Sequence, residues 1–195
     1  MKSWRSLTGK PYAPAVPKIV LGIDPGLARM GYGAIFQKGS QLKALEYGTI
    51  TSEAGMDVEK RLVVIFEKLQ TVLRKVQPDE VAIEELFFAR NVKTAISVGQ
   101  ARGTALLACG LAGVPVFEYK PMAIKQAVAG FGAANKEQIQ KMVKLLLGLS
   151  EVPKPDDTAD ALAIAITHAQ CSGTRLSEVV KKLSKSSVYS TFLKR

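Results

Sequence analysis

Residues 18–35 read KIVLGIDPGLARMGYGAI, and the fold turns on how this stretch is understood. From Ile19 to Ile23 the chain is apolar with no polar face, the pattern of a short strand covered on both sides. The run ends on an acid, Asp24, followed at once by a turn at Pro25-Gly26. A carboxylate at the tip of a buried strand is costly unless a cation, a metal or a ring of donors compensates it. The remainder of the chain has to supply that partner.

Outward from this strand, MGYGAIFQKG and QLKALEYGTI predict two more strands, joined by a tight turn at Gly39-Ser40 into an antiparallel meander. A helix is predicted next. Leu62, Ile65, Phe66, Leu69, Val72, Leu73 and Val76 recur at helical spacing, Lys60, Lys68, Arg74 and Lys75 lie off that stripe, and Pro78 closes it. DEVAIEE is a short apolar strand ending on acids. Residues 92–112 read as a helix rich in Gly, Ala and Ser, and GVPVFEY as a fifth strand. Helices are expected near 121–129, 135–148 and 157–171, with Pro153 and Pro155 punctuating the gap before the last. This order implies an α/β fold with a mixed five-stranded sheet: a three-strand antiparallel meander plus two parallel strands, flanked by helices. The crossovers bring the ends of the first and fourth strands to one edge, where ligands of such sheets gather.

The chain has 195 residues, 47% of them hydrophobic, enough for one substantial core. Its net charge of +10 is unevenly spread. Residues 1–18 carry four Lys/Arg and no acid, and residues 172–195 carry six Lys/Arg and one Glu. The expected organisation is a basic N-terminal extension over 1–17, a folded domain over 18–171 and a basic C-terminal tail over 172–195. Basic tails around a nearly neutral body suit a polyanion, nucleic acid ahead of a membrane, because neither tail has an amphipathic apolar face. No apolar run reaches membrane-spanning length, and the first 17 residues lack the apolar segment of a secretory signal. Their lack of acids leaves an organelle transit segment as the alternative to a plain extension. Cys109 and Cys171 sit in helix-like, small-residue contexts and read as reduced and packed, which fits a cytoplasmic protein.

Other acids answer Asp24. The fourth strand ends at Glu84, beside the end of the first. In PDDTADALAIAITHA, Asp157 and Asp160 are three apart and share one helix face in its first turn. Taken alone, that pair is an ordinary helix start, with Asp156 or Asp157 as the cap. With Asp24 and Glu84 at matching ends of other elements, a shared site becomes the better reading. Four like charges need a cation among them. The donors are oxygens only, which suits Mg²⁺ or Mn²⁺ rather than zinc. His168 lies about 16 Å along the helix from Asp157, at 1.5 Å per residue, so it reads as a packing or surface residue and not a ligand. Two ions shared by carboxylates activate water and steady a leaving oxygen in phosphodiester hydrolysis, so the acids and the basic tails together point to a nuclease. Gly31 and Gly33 share one face of the second strand, where a backbone or a phosphate could approach closely, although a bulge or twist would explain each alone.

The motifs GIDPG, AIEELFFARN, GQARG, PVFEY, KQAVAG and DDTADALAIAITHA, in this order and spacing, resemble the RuvC family over roughly residues 18–171. These are bacterial Holliday junction resolvases with a ribonuclease H-like fold. The resemblance implies an endodeoxyribonuclease that resolves four-way junctions by paired symmetric nicks in DNA recombination and repair, leaving 5′-phosphate ends. It puts the family's acidic quartet, catalytic and metal-binding, on Asp24, Glu84, Asp157 and Asp160, with Glu85 as a spare surface acid. It implies Mg²⁺, two ions per subunit, with Mn²⁺ as a substitute. The junction-wedging aromatic falls on Phe87, with Phe88 beside it as an alternate. The DNA-facing cations fall on Arg90, Lys125 and Lys136. The partners implied are four-way junction DNA, a second copy of the chain and the RuvA and RuvB branch-migration proteins. The helix over 92–112 corresponds to the family's dimer seam, although burial against its own sheet would equally explain its small residues.

Three rival readings use some of the same residues. GIDPG followed by GYGA also resembles the phosphate loop of actin-like ATPases and sugar kinases, which need a second domain that 195 residues cannot supply. A non-catalytic structure-specific DNA-binding module would gain nothing from four acids facing phosphate. A YqgF-type nuclease-like protein shares the fold, but the DDTADALAIAITHA block and the wedge segment favour a resolvase.

Overall fold

The structure is a computed structural model that describes residues 16–86 and 92–172. Phe87, Phe88, Arg90, residues 1–15 and residues 173–195 lie outside the described residues. Ten elements follow in order: β1 (Lys18–Asp24), β2 (Arg29–Lys38), β3 (Gln41–Thr51), α1 (Val58–Val76), β4 (Glu80–Glu84), α2 (Val92–Leu111), β5 (Val116–Tyr119), α3 (Pro121–Ala129), α4 (Lys136–Leu147) and α5 (Asp156–Ser172). The sheet order is β3-β2-β1-β4-β5. β1, β2 and β3 pair antiparallel, whereas β4 runs parallel to β1 and β5 parallel to β4. The meander and the two crossovers expected from the strand pattern are therefore present.

Alternation along the strands splits the core into two layers. Leu21, Ile23, Val81 and Ile83 point to one face, where Ile65 and Leu69 of α1 and Ala101, Ala105 and Ala108 of α2 cover them. Val20 and Ala82 point to the other, packing with residues of α3, α4 and α5. α5 is the central helix of this second layer. Every residue from Ala161 to Ala169 is buried, which explains why its sequence is apolar on all sides instead of amphipathic.

Three glycines set how close α5 lies to the sheet. A Cβ on Gly22 would stand 2.0 Å from the Ala161 carbonyl oxygen, one on Gly31 1.9 Å from the Asp157 carbonyl oxygen, and one on Gly33 2.7 Å from the Leu162 side chain. Gly22 pairs with Gly33, and Gly31 with Asp24, so the three form one bare patch across β1 and β2. The close approach expected at Gly31 and Gly33 is thus made by a helix backbone of the same chain. Any side chain there would lift α5 off the sheet.

The far end of α5 is fixed by a buried polar cluster. His168 Nε2 lies 2.8 Å from Glu80 Oε2, and the Tyr119 hydroxyl 2.8 Å from His168 Nδ1. Lys18 Nζ donates to the same Glu80 oxygen and, at 2.6 Å, to Ser172 Oγ. The tautomer carrying its hydrogen on Nε2 donates to Glu80 and accepts from Tyr119, so both ring nitrogens are used. His168 is buried, which decides between its two expected roles in favour of packing over the surface. Cys109 is also buried, its thiol pushed up to about 12 by burial, but Cys171, expected to be packed, is exposed.

Replacing Gly22 by Ala should destabilise the protein by about 2–3 kcal/mol, because the helix backbone it meets cannot yield as a flexible side chain would. Gly55→Ala, where a Cβ meets nothing within 4 Å, should change stability little. Urea unfolding of both variants checks the contrast; equal midpoints would contradict it.

Candidate active site

β1 and β4 are parallel neighbours with Ile23 opposite Ile83, so Asp24 and Glu84 end side by side at the same edge of the sheet. Both follow the alternation of Val20 and Ala82 and project toward the α5 layer. The bare position at Gly31 lets the first turn of α5 settle directly beside Asp24. Asp157 and Asp160, half-buried, come to the site from that turn. Three separate elements thus deliver the four expected acids to one place.

The electrostatics record how close that gathering is. Asp24 is pushed up to about 8, by burial first and then by the charges of Asp160, Glu84 and Asp157. Glu84 is raised by burial and then by Asp160, while Lys125 partly offsets both. Burial also raises Asp160, against the pull of Lys136. Lys136 Nζ stands 3.2 Å from Asp160 and 3.3 Å from Asp156. Burial works against the Lys136 charge, but these two acids more than offset it and raise its pKa. A capping box positions this lysine: Asn135 accepts from the Gln138 backbone N–H at 2.9 Å and Gln138 returns the bond, so Lys136 opens α4 facing the acids.

Arg29 is a group at the site that the sequence did not single out. It opens β2, and its Nε lies 3.2 Å from Asp157 Oδ2. That oxygen is buried and has no hydrogen-bond donor among the described residues, so the contact is one of charge without hydrogen-bond geometry. The only signal in the sequence was a basic residue in the turn after DPG. Glu85 is exposed, as expected of a spare acid. A cleft of about 200 Å³ adjoins Glu84, lined also by Pro25, Arg102 and Pro121.

The donor set fits a hard divalent cation. It is all oxygen, it is anionic, and its members raise one another's pKa, a penalty that a metal ion would relieve. With Lys136 on Asp160 and Arg29 on Asp157, no three acidic, His or Cys side chains among the described residues stand grouped as a ready-made ligand set.

A family model described as crossover junction endodeoxyribonuclease RuvC matches residues 20–168. The chain belongs to the RuvC family. A crossover junction endodeoxyribonuclease RuvC of Brevibacillus brevis is 58% identical over 164 residues, covering 84% of this chain and 99% of the relative. Among solved structures, Thermus thermophilus RuvC in complex with a Holliday junction substrate is similar with a TM-score of 0.75 and 42% identity, over 78% of this chain and 93% of that one. A yeast mitochondrial Holliday junction resolvase shares the fold, with a TM-score of 0.57 at 15% identity. Family membership confirms the ribonuclease H-like fold and an endodeoxyribonuclease, and it sets aside the ATPase, binding-module and YqgF-type readings.

Asp24 supplies a test in chelator. Its folded pKa, about 8, lies above its ordinary 3.8, so the protonated form favours folding and ionisation opposes it. The penalty enters as pH rises above 3.8 and is complete only above about 8. Metal-free Asp24→Asn should therefore be more stable than the parent by roughly 1–3 kcal/mol at pH 8, with a much smaller difference at pH 5. Thermal unfolding at the two pH values checks this, and a gain independent of pH would contradict it.

Proposed function

We propose that this chain is a metal-dependent, structure-specific endonuclease that resolves four-way DNA junctions by paired symmetric nicks, acting as a homodimer in recombination and repair. The observation that carries the reading is the convergence of Asp24, Glu84, Asp157 and Asp160 from three elements in a chain that matches RuvC over its folded body. The relative solved with a Holliday junction substrate supports the choice of DNA.

Asp24, Glu84, Asp157 and Asp160 would hold Mg²⁺, two ions per subunit, with Mn²⁺ able to take its place. When bound, the metal activates water and stabilises the oxygen that leaves phosphorus. The protein supplies the arrangement. Asp24 and Glu84 are fixed by the sheet, and Asp157 and Asp160 by the first turn of α5, so the ligands hold their positions as charge moves during the reaction. Lys136 and Lys125 border the acids and offset their repulsion of the DNA backbone, consistent with phosphate contacts at both. Water attack with loss of the 3′ oxygen leaves 5′-phosphate and 3′-hydroxyl ends.

Phe87 as the wedge at the junction centre and Arg90 as a DNA contact complete the proposed substrate surface; both lie outside the described residues. The same holds for nearly all of the basic segments over 1–17 and 172–195, proposed to flank a single domain over 18–171 and to add phosphate contacts. RuvA and RuvB are the proposed partners and the cytoplasm the proposed location. No helix among the described residues is long and apolar enough to cross a membrane.

The dimer reading is supported by α2. Leu107 and Leu111 are exposed four residues apart, and Cβ atoms placed on Gly103 and Gly110 of the same helix meet nothing within 4 Å. An apolar, small-residue helix surface left open within one chain suits a second copy packed against it.

Changing any one of the four acids to its amide keeps its shape and removes a metal-binding charge. Cleavage of a mobile four-way junction in Mg²⁺ should fall by about 100-fold or more, with junction binding kept or tightened. The parent's cuts should map to opposed strands at equivalent positions and be sealed by DNA ligase without trimming. A variant that cuts at the parent's rate would remove that acid from the mechanism.

A chain carrying Leu107→Glu and Leu111→Glu should sediment as a monomer and lose paired cleavage, while its circular dichroism stays that of the parent. A dimer unaffected by both changes would place the seam elsewhere.

A further inference from the structure

Arg29 stands at the rim of the acidic site on a backbone held from several sides. Gly26 packs so closely on the Arg29 carbonyl that a Cβ there would lie 2.2 Å from the oxygen. The Ser52 backbone N–H donates to the Ala28 carbonyl at 3.2 Å, and the Ser52 hydroxyl donates to the Leu27 carbonyl at 2.5 Å. Arg61 Nε in turn donates to Ser52 Oγ at 2.9 Å. The guanidinium thus extends from a fixed turn, yet its side chain is 56% exposed.

What it does there is only half explained by Asp157. A guanidinium serving as a clamp on a carboxylate presents its fork and makes two parallel hydrogen bonds. Arg29 instead comes nearest through Nε, 3.2 Å from Asp157 Oδ2 and outside hydrogen-bond geometry. Its terminal NH₂ groups make no hydrogen bond among the described residues. Planar donors left open beside a site that must admit an anionic strand match a phosphate, which takes the same fork. The position is also where a cation is most needed, since a phosphate approaching the site meets four carboxylates.

We propose that Arg29 is a DNA-contacting residue of the active site, resting against Asp157 in the free protein and giving its open NH₂ groups to a phosphate of the cut strand. This rests on the endonuclease reading, which brings that strand to the acids. It adds a cation from β2 to those already considered on α3 and α4.

The test is a set of full-length chains with Arg29, Arg29→Gln or Arg29→Lys, each with Asp157 or Asp157→Asn. Affinity for a four-way junction is measured in EDTA across a range of KCl, where no cutting is required. Once Asp157→Asn frees the guanidinium, Arg29→Gln should reduce the slope of log affinity against log salt by about 0.9, the loss of one phosphate contact. Arg29→Lys should keep the slope. Asp157→Asn should tighten binding more in the Arg29 chain than in the Arg29→Gln chain. Equal slopes for Arg29 and Arg29→Gln would overturn the proposal and leave Arg29 as a brace for Asp157, even if cleavage fell. An Arg29-dependent slope in a parent chain that fails to cut any junction in Mg²⁺ would support the contact while refuting the endonuclease reading.

Discussion

The structure depends on the contact between the backbone of α5 and the bare surface of β1 and β2. Gly22, Gly31 and Gly33 place no side chain in the way, and carbonyl groups of Asp157 and Ala161 occupy the space. A helix resting on ordinary side chains is held off a sheet by their bulk. Here part of that bulk is missing at the one place where the helix begins. The first turn of α5 therefore reaches the level of the strand ends, and Asp157 and Asp160 join acids that the sheet itself carries. Small residues on the helix, Ala161 and Ala165 above Gly22, complete the fit from the other side.

Bringing the acids together is unfavourable, and the protein accepts that cost at its site. Burial and mutual repulsion raise Asp24, Glu84 and Asp160. Well-packed apolar layers on both sides of the sheet hold the strand ends in place regardless. Cations at the rim ease the strain without abolishing it: Lys136 on Asp160 and Asp156, Arg29 beside Asp157, and Lys125 in the field of Glu84. A site kept anionic and partly compensated favours a divalent ion without being sealed by its own side chains. In the proposed function the same cations meet the phosphate backbone, so one set of charges serves the free protein and its substrate.

At its other end α5 is tied to Glu80, Tyr119 and Lys18 through His168 and Ser172. This cluster makes no contact with the acids; it fixes the helix along its length, so that the first turn cannot slide over the glycines. It also joins the first residue of β1 to the last residue of α5, closing the folded body on itself. Buried polar groups are tolerated there because they are mutually paired. The single histidine of the chain thus supports the site from a distance.

The sequence by itself determined the strands, the helices, their order and the identity of the four acids. Strand alternation, the helical stripe of α1, the proline breaks and the carboxylates at strand ends are local properties, legible in a few residues at a time. The three-residue spacing of Asp157 and Asp160 is equally local, and it is enough to put both on one helix face. Tertiary structure decided what those residues meet. That Gly31 makes room for the Asp157 backbone, that His168 reaches Glu80 from 88 positions away, and that Arg29 comes to rest beside Asp157 all depend on elements distant in sequence. Nothing in the local pattern of GLARMG distinguishes an arginine at an active site from one on an ordinary turn. Its neighbour is supplied by a helix that begins more than a hundred residues later, and only the packing of that helix on the sheet brings the two charges together.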